Sequence, residues 1–442
     1  MKKLLVFVMV AFMCVSLFAT GTQEKTATGT SKDKEVTIEW WTWDPEMIEQ
    51  NKTIIADFEA KNPGIKVNNT IVDSKEYWTK LRIQAQQKRL PDVFMLSSGY
   101  IEEWASEGLL RNLDDLIASE PDFFDRFYQP IFDVTKDIAN ADHYYAIPFA
   151  LVNTVLFYNK DMFDAAGIAY PSADWTWEDF RSAAKALTID KDGDGTPDQW
   201  GYWFYGRYAH AESWIFANNG YLVNKDTMRF EPDENAMEAL KMLTDMVLVD
   251  HSAPRQKDMS ALKNQQVFPN ELCAMWVDGG WYVDDFRKLG DKFQWGFERV
   301  PQGPSGGKRI TYAWPDSYAI SPNSENVEAA WKFAKYVAGE GIGLDQFMAG
   351  KIPAYRPLTE SDEFVDLTVQ PGANMQLLRD MASDEMTTSY TKGWSEWRGY
   401  AAADSMGLNG IIDSIINGEI SFDAGMKSAT ESINKVLARY YK

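Results

Sequence analysis

Trp40, Trp41, Trp43 and Asp44 stand within five consecutive positions. An indole offers flat apolar area with one polar edge, and a carboxylate accepts strong, charge-assisted hydrogen bonds. A sugar ring asks for both, since its C–H faces stack on indole and its hydroxyls need acceptors. Strand alternation puts Trp41 and Trp43 on one face and Trp40 on the other. Trp40 is therefore expected in the core, and Trp43 and Asp44 in a cleft. A second constellation is Asp190-Lys-Asp192-Gly-Asp194-Gly195-Thr196-Pro-Asp198. Carboxylates at relative positions 1, 3, 5 and 9, with Gly at 6, match the first part of a calcium-binding loop. Asp190, Asp192, Asp194, Thr196 and Asp198 are the candidate ligands. Position 12 is Gly201, where such loops carry a bidentate Glu, so the match is incomplete. A plain turn built on Asx and Gly chemistry explains the same composition. In either case the loop is structural.

Other chemistry is scarce. His143, His210 and His251 are the only histidines and lack metal-ligand spacing. Cys14 and Cys273 are the only cysteines, and Cys14 falls in an apolar leader, so no disulfide is expected in the mature chain. There is no Gly-x-Ser-x-Gly elbow, P-loop or His-Glu-x-x-His motif. A glycan-cleaving enzyme would need two carboxylates across the sugar. Asp44 and Asp316 are the pair that would mimic them, but both are expected on one side of the cleft. No catalytic residue and no required cofactor are expected.

The elements that must position these residues follow from periodicity. Val36 to Trp43 alternates and reads as a strand, Glu46 to Ala60 has helical spacing, and Asn62-Pro-Gly64 stops it. A strand over Ile65–Val72, a helix over Lys75–Lys88 and a short buried strand over Asp92–Leu96 follow. This βαβαβ alternation predicts a largely parallel sheet covered by helices. Ligands of such sheets sit beyond the strand carboxyl ends, which places Trp43-Asp44 and Ser97-Ser98-Gly99 beside a cleft. Further helices are predicted at 177–187, 235–249, 327–338 and 421–440.

Residues 1–19 read as a secretory signal: Lys2 and Lys3, an apolar run over Leu4–Phe18, then Ala19. Lipidation of Cys14 is the weaker alternative, because Ala11-Phe12-Met13 is a poor recognition sequence. Residues 20–35 read as a flexible tether. An extracytoplasmic location is expected. The net charge of −21 argues against nucleic-acid and anionic-membrane partners and for a monomer. Aromatics make up 14% of the chain, with 17 Trp and 20 Tyr, which suits both a large core and a sugar site.

Several segments together resemble the family 1 extracellular solute-binding proteins of sugar ABC importers. They are Phe58-Glu-Ala-Lys-Asn-Pro-Gly-Ile-Lys-Val67, Pro91-Asp-Val-Phe94, Tyr145-Ala-Ile-Pro148 with Val155–Phe163, Thr176-Trp-Glu-Asp-Phe180, Gly280-Trp281 and Ser317–Ser321. Each is weak alone, and their order over residues 36–440 makes the match specific. The resemblance implies a two-lobed α/β fold of the type II periplasmic-binding class, each lobe a mixed, mainly parallel sheet flanked by helices and hinged around a cleft. Lobe one would hold 36–148 and 309–352, and lobe two 149–308 and 353–442, with Ile147-Pro148-Phe149 breaking a strand at the first exchange. It implies capture of a mono- or oligosaccharide and delivery to permease subunits. It also adds site residues: Asp278, Gly280 and Trp281 as a loop presenting an aromatic, Trp314 and Asp316 where the family is usually glycine-rich, and Asn153, Trp214 and Arg356. A sensory or adhesive module of the same fold is the alternative, ahead of a glycan-processing enzyme.

Overall fold

The computed structural model describes residues 35–133, 135, 143–306, 309–343, 351–366, 374–382, 384–388, 390–399 and 407–441. The proposed leader, Cys14 and nearly all of the tether lie outside them. Its strands are β1 (Val36–Thr42), β2 (Ile65–Ile71), β3 (Val93–Ser97), β4 (Ala146–Asn159), β5 (Trp200–Trp203) and the short pair β6 (Val223–Asn224) and β7 (Arg229–Phe230). They continue as β8 (Cys273–Gly279), β9 (Trp295–Glu298), β10 (Ile310–Ile320), β11 (Ile352–Pro353) and β12 (Glu385–Thr387). Ten of them form one sheet with the order β2-β1-β3-β10-β4-β8-β5, while β9, β11 and β12 add at the sides.

The family-like segments have local physical reasons. Glu59, near the end of the helix Ile48–Lys61, accepts the Val67 N–H at 3.0 Å and pairs with Lys66, which sets β2 beside β1. Gly64 turns the chain between them at φ 99°, a value that suits glycine. The Asp92 carboxylate accepts the Glu39 N–H at 2.9 Å and the Ser324 hydroxyl, tying β1 and β3 to the end of β10. Thr176 and Asp179 form a reciprocal capping box that starts the helix Trp177–Ala186.

Parallel pairing holds at the two outer ends of the sheet, β2-β1-β3 and β5-β8. The centre differs from the expected mainly parallel arrangement. β4 and β10 run antiparallel to each other, β10 antiparallel to β3, and β4 antiparallel to β8 and β9. Pro148 does not break β4, which runs through it. Pro148 stands opposite Ser317 and Ala150 opposite Asp316, so Phe149 is the extra residue of a bulge that β4 itself carries. The irregular ladder there tolerates a residue with no N–H.

Two clusters of buried side chains make the core. One contains Trp40, Phe58, Phe94, Trp104 and Phe333, and extends to Phe157, Trp276 and Phe286. The other contains Phe163, Phe180, Trp214, Leu240, Ile415 and Leu437. Trp281 packs against both. No helix among the described residues is long and apolar enough to cross a membrane.

Candidate ligand-binding cleft

A cleft of about 840 Å³ opens where β1 and β3 end and where β4 and β10 pass beneath. Binding sites for small ligands commonly span this volume. On one wall, Trp43 follows β1 and packs edge-on to Tyr77 (centroids 5.2 Å apart) and against Trp78 (5.4 Å). Trp78 in turn stacks on Tyr100 at 4.1 Å. The rings brace one another, so this wall holds its shape. Asp44 and Ser97 complete it.

Trp314, Asp316 and Tyr318 of β10, with Phe149 and Val152 of β4, form the floor. Asp316 is buried and meets Lys351 at 3.2 Å. Burial pushes its carboxyl above the usual range, against the pull of Lys351, and the Asp44 charge adds to the rise. The opposite wall carries Arg207, Tyr208 and Trp281. Trp281 meets Trp314 at 5.6 Å, and Tyr208 meets Trp314 at 5.3 Å. Gly279 is required here, because a Cβ on it would lie 1.7 Å from the Trp281 ring.

Six of the twelve residues expected around a sugar therefore line one cleft: Trp43, Asp44, Ser97, Trp281, Trp314 and Asp316. The other six do not. Trp214 is fully buried in the second core, donating to the Tyr202 hydroxyl at 3.0 Å, so it cannot meet a ligand. Arg356 is half-buried and pairs with Glu360 at 3.0 Å, outside the residues that line the cleft. Asn153 is buried, with its side-chain NH2 on the Met381 sulfur and its backbone carbonyl accepting the Gly280 N–H at 2.9 Å. Gly280 thus fixes the turn rather than facing the ligand. Ser98 is buried and begins a short 3-10 turn. Asp278 is completely buried beneath Arg207. Trp394 and Trp397 are buried, in line with core packing.

Arg207, Tyr208, Trp78 and Lys351 were not legible as site residues. Arg207 had a usable signal: it follows β5 and opens the helix Tyr208–Ala217, so the strand-end rule that found Trp43 covers it. A smaller cavity of about 350 Å³, lined by Phe216, Tyr221 and Thr391 among others, holds none of the expected residues.

The acidic loop lies apart from the cleft. Asp190, Asp192 and Asp194 bring carboxylate oxygens within 4.8 Å of one another, and all three are exposed. Backbone N–H groups already serve them: Gly193 and Gly195 donate to Asp190, Asp194 to Asp192, and Thr196 to Asp194. Asp198 accepts the Lys191 N–H and is not gathered with the three. Gly201 sits against the helix Trp177–Ala186, where a Cβ would lie 1.8 Å from the Ala184 carbonyl. No Glu fits at that twelfth position.

Residues 43–343 match the family described as bacterial extracellular solute-binding protein. The chain is 23% identical over 398 residues to a putative binding protein of Brucella abortus, covering 86% of this chain and 88% of that one. It is 25% identical over 323 residues to the multiple sugar-binding protein of Streptococcus mutans, covering 71% and 73%. Among solved structures, an ABC substrate-binding protein from Listeria monocytogenes in complex with cycloalternan superposes with a TM-score of 0.77. It is 26% identical and the match covers 92% of this chain and 100% of that one. The architecture is thus the two-lobed α/β fold of these proteins.

One support of the cleft wall is sensitive to pH. Asp413, on the helix Gly407–Ile416, accepts the Gly206 N–H at 2.6 Å and so fixes the residue before Arg207. Burial raises its pKa from 3.8 to about 6, against the Gly206 hydrogen bond. A raised carboxyl pKa means that the folded state holds the proton more tightly than the unfolded one. Its stability contribution is whole below pH 3.8 and is lost as pH rises through about 6. We expect Asp413→Asn, which keeps the acceptor, to stabilise the protein near neutral pH by on the order of 2 kcal/mol. Denaturant unfolding should show that gain shrinking to nothing toward about pH 4. A gain independent of pH would refute this.

Proposed function

The chain belongs to the bacterial extracellular solute-binding proteins, and from that premise we propose that its cleft captures an oligosaccharide outside the cytoplasm and delivers it, chemically unchanged, to the permease of an ABC importer. The observation that carries the reading is the pairing of indoles on two walls, Trp43 and Trp281, over a floor holding the carboxylate Asp316. Flat apolar faces above and below, with acceptors at the edge, suit pyranose rings in sequence. The volume of about 840 Å³ favours several sugar units over one. The sugar-binding name of the Streptococcus mutans relative and the cycloalternan complex of the Listeria monocytogenes protein agree with this.

In this reading the protein acts as a monomer, without catalytic residues. Asp316 is engaged by Lys351, and Asp44 lies just past the end of β1, two strands away in the same sheet, so the two would bind hydroxyls from one side. Lobe one is proposed to hold 36–148 and 309–352, and lobe two 149–308 and 353–442. Sugar bound to both walls would draw the lobes together as a hinged clamp.

The first test is a melting screen of the mature protein against maltotriose, cycloalternan, galacto-oligosaccharides, mannitol and tagatose. A ligand at a hundredfold excess over its Kd should stabilise by about 2.7 kcal/mol. Trp43→Ala and Trp281→Ala should each weaken the selected ligand at least about tenfold, or about 1.4 kcal/mol, by calorimetric titration. Without ligand each variant should remain folded and melt lower only by the packing of one half-buried ring. Normal binding by both variants would refute the assigned cleft.

The acidic loop is proposed to hold a structural calcium ion through Asp190, Asp192 and Asp194, with no part in sugar binding. Such a site, short of its usual bidentate Glu, should be weak. Chelator should lower the melting temperature, calcium should restore it, and Asp192→Asn should abolish the response. Melting that ignores chelator would assign the loop to its own backbone hydrogen bonds.

A further inference from the structure

We propose that Asp278, which never reaches the cleft surface, is a positioning residue: it holds the Arg207 guanidinium between Tyr208 and Trp281 and so fixes the two rings that face the ligand. The inference rests on the oligosaccharide reading for its effect on affinity, and on geometry alone for the positioning itself.

Asp278 lies on β8 opposite Val155 of β4 and is completely buried. A carboxylate out of water must be compensated by a charge and by hydrogen bonds, or it becomes strongly destabilising. Oδ1 accepts the Gly279 N–H at 2.7 Å and lies 3.4 Å from Arg207 Nη2. Oδ2 lies 3.2 Å from His210 Nε2. His210 does not bring the compensating charge. It is fully buried, its Nε2 is 3.1 Å from the Trp276 indole nitrogen, and burial pushes its pKa down toward the neutral form. The cation for Asp278 is therefore Arg207.

Arg207 in turn has little freedom. Its guanidinium carbon lies 5.6 Å from the Tyr208 ring centre and 5.6 Å from that of Trp281, within cation–π range of both. Nη1 reaches the Tyr205 hydroxyl at 3.4 Å. The run Asp278-Gly279-Gly280-Trp281 thus engages Arg207 twice, with a carboxylate at its start and an indole at its end. The tight fold of Trp281 over Gly279 allows this. Arg207 also couples this wall to the helix Tyr208–Ala217, whose first residue is the second ring. Removing the charge at 278 would leave the half-buried Arg207 without its anion, and the rings would lose a fixed spacer.

Two substitutions separate charge from shape. Asp278→Asn keeps the size and the acceptor for Gly279 while removing the charge. Arg207→Lys keeps the charge while removing the planar group that lies between the rings. In fluorotryptophan-labelled protein without ligand, the Trp281 resonance is identified by its loss in Trp281→Phe. It should shift or broaden in both variants. Affinity for the tightest-binding sugar of the panel above should fall at least about tenfold in each. The double variant should lose no more than about threefold beyond the weaker single, since both act through one arrangement. A parental resonance in both variants, or losses that simply add, would overturn the proposal. If Asp278→Asn does not fold, Arg207→Lys decides alone: parental resonance and affinity would overturn it. If no sugar binds the parent protein, the oligosaccharide reading falls and the resonance still decides the positioning.

Discussion

A strand buried along its whole length must find a partner for every N–H and C=O it carries. β4 meets that demand over fourteen residues, all of them buried. Its first half pairs with β10 and β11, and its second half with β8 and β9. β10 does the same in the reverse direction, with β3 at one end and β12 at the other. The two strands run under the cleft and bind both cores into one body, Val36–Lys442. The cleft floor is the middle of this pair, and both walls are loops that leave strands flanking it. A change in the register of β10 against β4 would move Trp314, Asp316 and Tyr318 together.

The cleft carries charges of both signs. The chain carries a net charge of −21, and three of the cations that line this site, Arg207, Lys288 and Lys351, sit close to anions. Lys351 meets Asp316, Lys288 meets Asp285 at 3.6 Å, and Arg207 meets Asp278. Such a lining is suited to a neutral, hydroxyl-rich ligand. Paired charges can redirect hydrogen bonds to hydroxyls without demanding a counter-ion. The pairs also keep the polar groups fixed before a ligand arrives, which lowers the ordering cost of binding.

Much of the fold was readable along the chain because its signals are local. The helices Ile48–Lys61, Ser74–Gln86, Glu234–Leu248 and Phe422–Tyr440 follow apolar spacing and caps, each lying within a few residues of its predicted range. The strand-end rule found Trp43, Asp44 and Ser97 for the same reason. What failed was long-range. Trp214 lies on a helix that is buried on every side, and its neighbours in sequence do not reveal that. Arg356 failed for a local reason instead, since Glu360 pairs with it from four positions on. Lys351 joins the site only through its pairing with Asp316, across 35 positions. The Pro148 break failed because β4 takes up the proline beside a bulge at Phe149, whose place is set by pairing with β10, far along the chain.

A sugar held by both walls should close them on itself. Small-angle X-ray scattering of the mature protein, with and without the oligosaccharide selected by melting, tests this most directly. The account predicts a smaller radius of gyration at saturation and an unchanged mass, as expected for a monomer whose lobes approach. Superimposable curves with saturating ligand bound would contradict it.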